Sequence, residues 1–218
     1  MGTKNHARIQ KNKMPLELDL TKKGETPKKL SLNLSKPARF TVELYWDSEH
    51  DLDGHALLCT NDGSGAKAST LDHVCSTYNC VKTNDQGVLP VNADGKSFST
   101  VEGALTHSGD ARNGQIADVD EIITIDGAKV PAGINEIPIF VTIHPHKAAT
   151  FAEVKTAGIR IKDDGGRILG DYELTANFAQ FDAVQMGTLT LDPSTGWVYT
   201  PIGVGFNGDF KYILENFS

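Results

Sequence analysis

The 218-residue sequence predicts an all-β domain, packed as a two-sheet β-sandwich with one or two short helices. Three observations predict it. Short runs with alternating or β-branched apolar residues recur along the chain, turn residues separate them at regular spacing, and hardly any stretch carries a helical period. Hydrophobic residues make up 39% of the chain, enough for a folded core, and the length suits one sizeable core rather than two.

The elements follow in order. "LELDLTK" at 16–22 and "LSLNLSK" at 30–36 place Leu at alternate positions, the period of a half-buried strand, with the turn "KGETPKK" between them. "RFTVELYW" at 39–46 is a third strand, and "GHALLC" at 54–59 a fourth. "TNDGSGAKAS" at 60–69 is loop, and "HVCSTYNCV" from His73 onward reads as a strand. The chain after it, to Gly103, reads as a long loop or weak hairpin. "EIITID" at 121–126 and "INEIPIFVTIH" at 134–144 are strong strands. "TFAEVKTAG" at 150–158 suggests a short helix, with Thr150 as cap and Glu153 three residues on. "IRIKDDGGRILGDYEL" at 159–174 is a hairpin about "DDGG", and 183–206 repeats that logic about "DPSTG". The tail "GDFKYILENFS" suits a short helix or a last strand.

Charge is uneven. Residues 1–15 form a basic arm carrying Lys4, Arg8, Lys11 and Lys13 and no acid. Residues 46–126 carry 14 acids against Lys67, Lys82, Lys96 and Arg112, a balance of −10, which exceeds the net charge of −7. Such a surface disfavours nucleic acid as a partner of the folded domain and favours a polyvalent cation or a basic surface, although a solvated acidic face has the same composition. No apolar run reaches the roughly 20 residues of a membrane span, and the N-terminus lacks the apolar stretch of a secretory signal. A cytoplasmic protein is expected. Cys59, Cys75 and Cys80 are an odd set with no second ligand pair at zinc spacing, so buried thiols are expected rather than a disulfide or a zinc site. His144 and His146 in "TIHPHK" lack a third ligand and read as the end of a strand.

Two acidic stretches carry the chemistry. "WDSEHDLDG" at 46–54 sets Asp51 and Asp53 two apart, which puts both on one side of an extended chain. "HSGDARNGQIADVDEI" at 107–122 repeats the spacing at Asp118 and Asp120, with Asp110 before them and Glu121 after. Like charges so placed are held either by water or by a cation such as Ca2+, which takes six to eight oxygen ligands from loops. Residues 110–121 have the length of an EF-hand loop, but Arg112, Gly114 and Gln115 stand at the third, fifth and sixth places and the flanks read as strands, so it is none. His107 stands where it could orient a carboxylate. No nucleophile elbow or P-loop is present, and "GVGFNG" at 203–208 lacks the strand–turn–helix setting of a dinucleotide site, so an enzyme is not expected.

The chain resembles the TerD family of tellurite-resistance and stress proteins. The resemblance rests on "LYWDSEHDLDGHALLC", on "HSGDARNGQIADVDEI" for the family's H-x-G-D-N-x-x-G loop ending D-D-E, and on "VPAGINEIPIFVTIH", "TFAEVKTAGIRIKDDGGRILGDYEL" and "GWVYTPIGVGFNG", in that order along residues 16–208. It implies a TerD-like β-sandwich over 16–218 that binds Ca2+ through its acidic loops. Matched by motif, the metal ligands are Asp51, Asp53, Asp110, the Gly114 carbonyl, Asp120 and Glu121, with Asp118 as a substitute acid. Ala111 replaces the family's Asn and Val119 the first acid of D-D-E, while Ile116 and Ala117 stand at its usual Gly and Asp. One ion, or weak binding, is therefore expected. Residues 80–103 are an insertion relative to the family.

By resemblance the protein is a cytoplasmic calcium-binding stress protein. Its loops, ordered by Ca2+, dock protein partners, for example a membrane-associated stress complex. The basic arm, the insertion and the eroded loop suggest an alternative, a structural component of a larger particle such as a virion or tail. A hydrolase using a metal at the acidic cluster is a third reading.

Overall fold

The computed structural model describes residues 32–34, 39–112, 114, 119–145, 149–175 and 177–218. The basic arm, the first Leu alternation at 16–22, Asp118 and His146 lie outside the described residues.

Among the described residues twelve strands form two antiparallel six-stranded sheets. In chain order they are β1 (Leu32–Leu34), β2 (Arg39–Trp46), β3 (Leu52–Leu57), β4 (Val74–Cys75), β5 (Phe98–Ser99), β6 (Leu105–His107), β7 (Glu121–Asp126), β8 (Glu136–Ile143), β9 (Ala157–Asp163), β10 (Ile168–Glu173), β11 (Ala183–Asp192) and β12 (Gly196–Phe206). One sheet runs β1-β12-β11-β8-β3-β4 and the other β10-β9-β2-β7-β6-β5. The helix α1 (Phe210–Phe217) closes the chain.

Alternation explains most of the core. Phe40, Val42, Leu44 and Trp46 of β2 pack with Ile123 and Ile125 of β7 and Ile159 and Ile161 of β9. From the other sheet come Leu52 and Ala56 of β3, Ile137, Ile139, Val141 and Ile143 of β8, and Trp197 and Tyr199 of β12. β8 is buried on both faces from Ile137 to Ile143, which explains why its sequence is a continuous apolar run. Phe140 faces away from the main core into a second cluster with Leu57, Val74 and Ile213. α1 covers that face: Phe217 meets Phe140 edge-on at 4.9 Å, and Asp209 caps the helix by accepting the Tyr212 amide at 3.2 Å.

The two hairpins expected at 159–174 and 183–206 form as β9–β10 and β11–β12. At the second turn Asp192 accepts the Ser194 and Thr195 amides, each at 2.8 Å, and Gly196 takes φ +88°, a conformation that glycine adopts without strain. All three cysteines are buried free thiols.

Three local expectations are corrected. Residues 150–158 make a turn, not a helix. The capping contacts form, Thr150 N–H to Glu153 Oε2 at 2.6 Å and Glu153 N–H to the Thr150 carbonyl at 3.0 Å. Phe151 and Val154 are drawn into the core, however, and β9 begins at Ala157, which leaves too few residues to propagate a helix. The strand expected in "HVCSTYNCV" stops at Cys75. Ser76 then caps a tight 3-10 turn over Thr77–Asn79, its Oγ accepting the Tyr78 amide at 3.2 Å. The strand expected at 54–59 begins earlier, at Leu52, and so takes Asp53 into the sheet.

Phe140 carries the seat of α1. Truncation there removes ring contacts to Phe206 and Phe217. Phe140→Ala is expected to lower unfolding free energy by about 3–5 kcal/mol in urea titration; a loss below about 1 kcal/mol would contradict this packing.

Candidate metal centre

Three segments meet at one end of the sandwich. Asp51 stands just before β3, and its carbonyl accepts the His144 amide at 2.8 Å, which ties it to the end of β8. Asp53 lies within β3. Asp110 sits in the loop between β6 and β7, which belong to the opposite sheet. One carboxylate oxygen from each of Asp51, Asp53 and Asp110 lies within 4.8 Å of the others. Among the described residues this is the group of His, Cys, Asp or Glu close enough to hold an ion.

The loops are fixed to each other by backbone pairing. The Gly114 amide donates to the Ser48 carbonyl at 3.1 Å, and these two residues form an isolated bridge. Gly114 must be glycine here, because a Cβ would lie 2.1 Å from Trp46 Cδ1 and 2.3 Å from the Trp46 carbonyl. Asp120 extends the β2–β7 pairing: its amide donates to the Leu44 carbonyl at 3.0 Å, and its Oδ2 accepts the Trp46 amide at 2.8 Å.

Glu121, 1% exposed, braces the centre from beneath. Its Oε2 accepts the Gly54 amide at 3.0 Å and its Oε1 the Ala111 amide at 3.2 Å, so one side chain joins β3 to the Asp110 loop. His107 Nε2 lies 3.3 Å from Glu121 Oε2. The Gly109 amide donates to His107 Nδ1 at 3.1 Å, which leaves the ring proton on Nε2, facing Glu121. Phe98 stacks on that imidazole with 4.8 Å between ring centres.

The structure thus gathers Asp51, Asp53 and Asp110. It sets Glu121, Asp120 and Gly114 around them as hydrogen-bonded supports, and His107 behind Glu121. Sequence reading missed Thr77 and Tyr78, whose hydroxyls donate to Asp53 Oδ1 at 2.6 Å and Oδ2 at 3.0 Å. The capped turn that presents them carried a signal, the Ser at position 76, but the strand reading hid it.

Burial makes these acids costly. Asp51 is 6% exposed and Asp53 1%. Asp51 Oδ1 is buried with no hydrogen-bond partner. At these separations each pair of ionised carboxylates repels by roughly 3 kcal/mol for an effective dielectric near 20. Burial first, then the charges of Asp110 and Glu121, pushes the Asp51 carboxyl up to about 7. Burial, with Glu121 next, holds Asp53 well above the usual carboxylate range, and the Thr77 and Tyr78 hydrogen bonds offset part of this. Arg112 Nε donates to Asp110 Oδ2 at 3.1 Å at the rim. The donor set is all oxygen, and the orphaned Asp51 Oδ1 is an acceptor awaiting a positive partner. That set fits a hard divalent cation, which prefers carboxylate oxygen in loops of this kind.

A TerD domain model matches residues 17–217. The chain belongs to the TerD family. It is 28% identical to the tellurium resistance protein TerD of an Alcaligenes species, covering 93% of this chain and 97% of that one. It is 26% identical to general stress protein 16U of Bacillus subtilis, covering 87% and 93%. In fold it is similar to the crystal structure of a telluride resistance protein homologue from Streptomyces coelicolor A3(2), with a TM-score of 0.62 at 20% identity over 81% of this chain and 95% of that one.

The raised Asp51 and Asp53 carboxyls give the metal-free TerD domain a defined pH response. The folded state keeps their protons above the unfolded value near 4, so this stability is complete below about pH 4, and the Asp51 part is lost as pH rises towards about 7, with Asp53 shifted in the same direction. In urea titrations with chelator, unfolding free energy should fall between those limits, and Asp51→Asn should flatten the slope. An unchanged slope in the variant would contradict the assigned burial.

Proposed function

We propose that this TerD protein is a calcium-binding protein of the tellurite and chemical stress response, and that it acts by binding rather than by catalysis. The observation that carries the reading is Asp51 Oδ1, buried and without a partner, beside the carboxylates of Asp53 and Asp110 within 4.8 Å. A bound Ca2+ would supply two positive charges and no redox or acid–base chemistry of its own. Asp51, Asp53 and Asp110 would hold it, with Glu121 keeping β3 and the Asp110 loop at a fixed spacing.

What the residues then do is electrostatic. With two of their three charges offset by the cation, the acids would repel one another less and the loops that carry them would hold together. The 46–51 and 108–114 segments are thereby locked as one surface, which would dock a protein partner such as a membrane-associated stress complex. A cytoplasmic setting accords with the free thiols of Cys59, Cys75 and Cys80. No helix among the described residues is long and apolar enough to cross a membrane. Residues 80–103 bury Leu89 and Phe98 in the domain's own core.

A ligand that binds only the folded state raises its stability by mass action. Calcium at about 100 times its Kd should add about 2.7 kcal/mol, or roughly 5–10 °C of Tm for a domain of this size. The Asp51→Asn, Asp53→Asn double variant should show no shift. Equal shifts in both proteins, or none in the wild type against a chelator control, would remove the proposal.

A further inference from the structure

The acidic centre opens into a cavity of about 510 Å3, lined by Asp51, Asp53, Tyr78, Asp110, Arg112 and His144, with Thr77 and the insertion residues Thr83 and Asn84 as walls. One ion needs a small fraction of this volume, since a single water occupies about 30 Å3. Most of the neutral donors on the walls already have a partner within the protein. Thr77 and Tyr78 hydroxyls donate to Asp53, Thr83 Oγ1 donates to the Thr77 and Cys80 carbonyls, and Asn84 Nδ2 donates to the Tyr78 carbonyl at 2.7 Å.

Arg112 is different. Its side chain is 80% exposed, and among the described residues it meets Asp110 through Nε alone, at 3.1 Å. Its two terminal nitrogens remain as a planar fork, the geometry that suits an oxyanion. Among the described lining residues it is the one permanent cation. Without a metal the site offers an anion no counter-charge beyond this one arginine, which Asp110 already pairs. A divalent cation seated on the three acids would offset two of their charges, and Arg112 borders the same cavity as the acids that would hold it.

We infer that this cavity is a binding site for a small oxyanion, of the size of a phosphate monoester or tellurite, held between Arg112 and a divalent cation carried by Asp51, Asp53 and Asp110. The inference rests on the calcium reading above and deepens it: the cation creates the site for the anion. Binding is therefore ordered, and the two ligands help each other reciprocally, because a coupling free energy acts equally in both directions.

The test is a thermal-shift and calorimetry matrix on the full chain with methyl phosphate, tellurite or no anion, each with calcium or with chelator. At least one of the two anions should raise Tm beyond the calcium shift, should do nothing with chelator present, and should tighten the calcium Kd about tenfold. A response to methyl phosphate alone or to tellurite alone assigns the source of the oxyanion. Arg112→Gln, a change on an exposed side chain, should abolish the anion increment. Its own calcium shift reports that the variant is folded and still binds the metal. A calcium shift with no increment from either anion overturns this inference and leaves the calcium reading standing. An equal increment in Arg112→Gln, or one seen with chelator, also overturns it. No calcium shift at all overturns both.

Discussion

The structure depends on one electrostatic constraint: carboxylates from both sheets are brought out of water to a single point. Asp51 and Asp53 arrive on one sheet and Asp110 on a loop of the other, and Glu121 is buried beneath them. Ionised and unpaired, such a group opposes folding, because desolvation and mutual repulsion act in the same direction. Two influences offset it in the protein alone. Hydrogen bonds from Thr77, Tyr78, Gly54 and Ala111 satisfy Asp53 and Glu121, and retained protons reduce the charge. No hydrogen bond from the described residues reaches Asp51 Oδ1, and this is where a cation adds most.

The rest of the sandwich can be read as the frame that makes this junction rigid. The β2–β7 ladder continues into the junction through the Asp120 contacts to Leu44 and Trp46. Trp46 also fixes the identity of Gly114, whose backbone must lie against the indole to pair with Ser48. On the opposite face of the β3 sheet, Phe210 of α1 stacks on Tyr78 with 5.3 Å between ring centres, and Tyr78 in turn donates to Asp53. Phe210 also meets His55 with 5.5 Å between ring centres, so two aromatic contacts join the terminal helix to the wall of the acidic centre.

Much of this was legible in the sequence for simple reasons. Strand periodicity in "RFTVELYW" and the turn chemistry of "DDGG" and "DPSTG" are local properties, and these elements form where expected. The D-x-D spacing put Asp51 and Asp53 together, and the motif resemblance brought Asp110 beside them. The role of Glu121 was less visible. Sequence spacing groups it with Asp120 as a ligand, whereas its two oxygens are taken by amides from two different segments, a relation that only tertiary pairing creates. Thr77 and Tyr78 were hidden for the same reason, since no local pattern connects them to an acid 24 or 25 residues earlier. The helix expected at 150–158 failed because burial of Phe151 and the start of β9 override a good capping sequence.

The central claim is that the three acids grip one hard divalent ion. The most direct measurement is a crystal structure grown in calcium, with anomalous scattering used to locate the metal. The account predicts a peak bounded by oxygens of Asp51, Asp53 and Asp110 at about 2.3–2.6 Å, the range for calcium–oxygen ligation. Well-ordered carboxylates at these positions with no ion between them at saturating calcium, or a calcium peak elsewhere on the molecule alone, would contradict it.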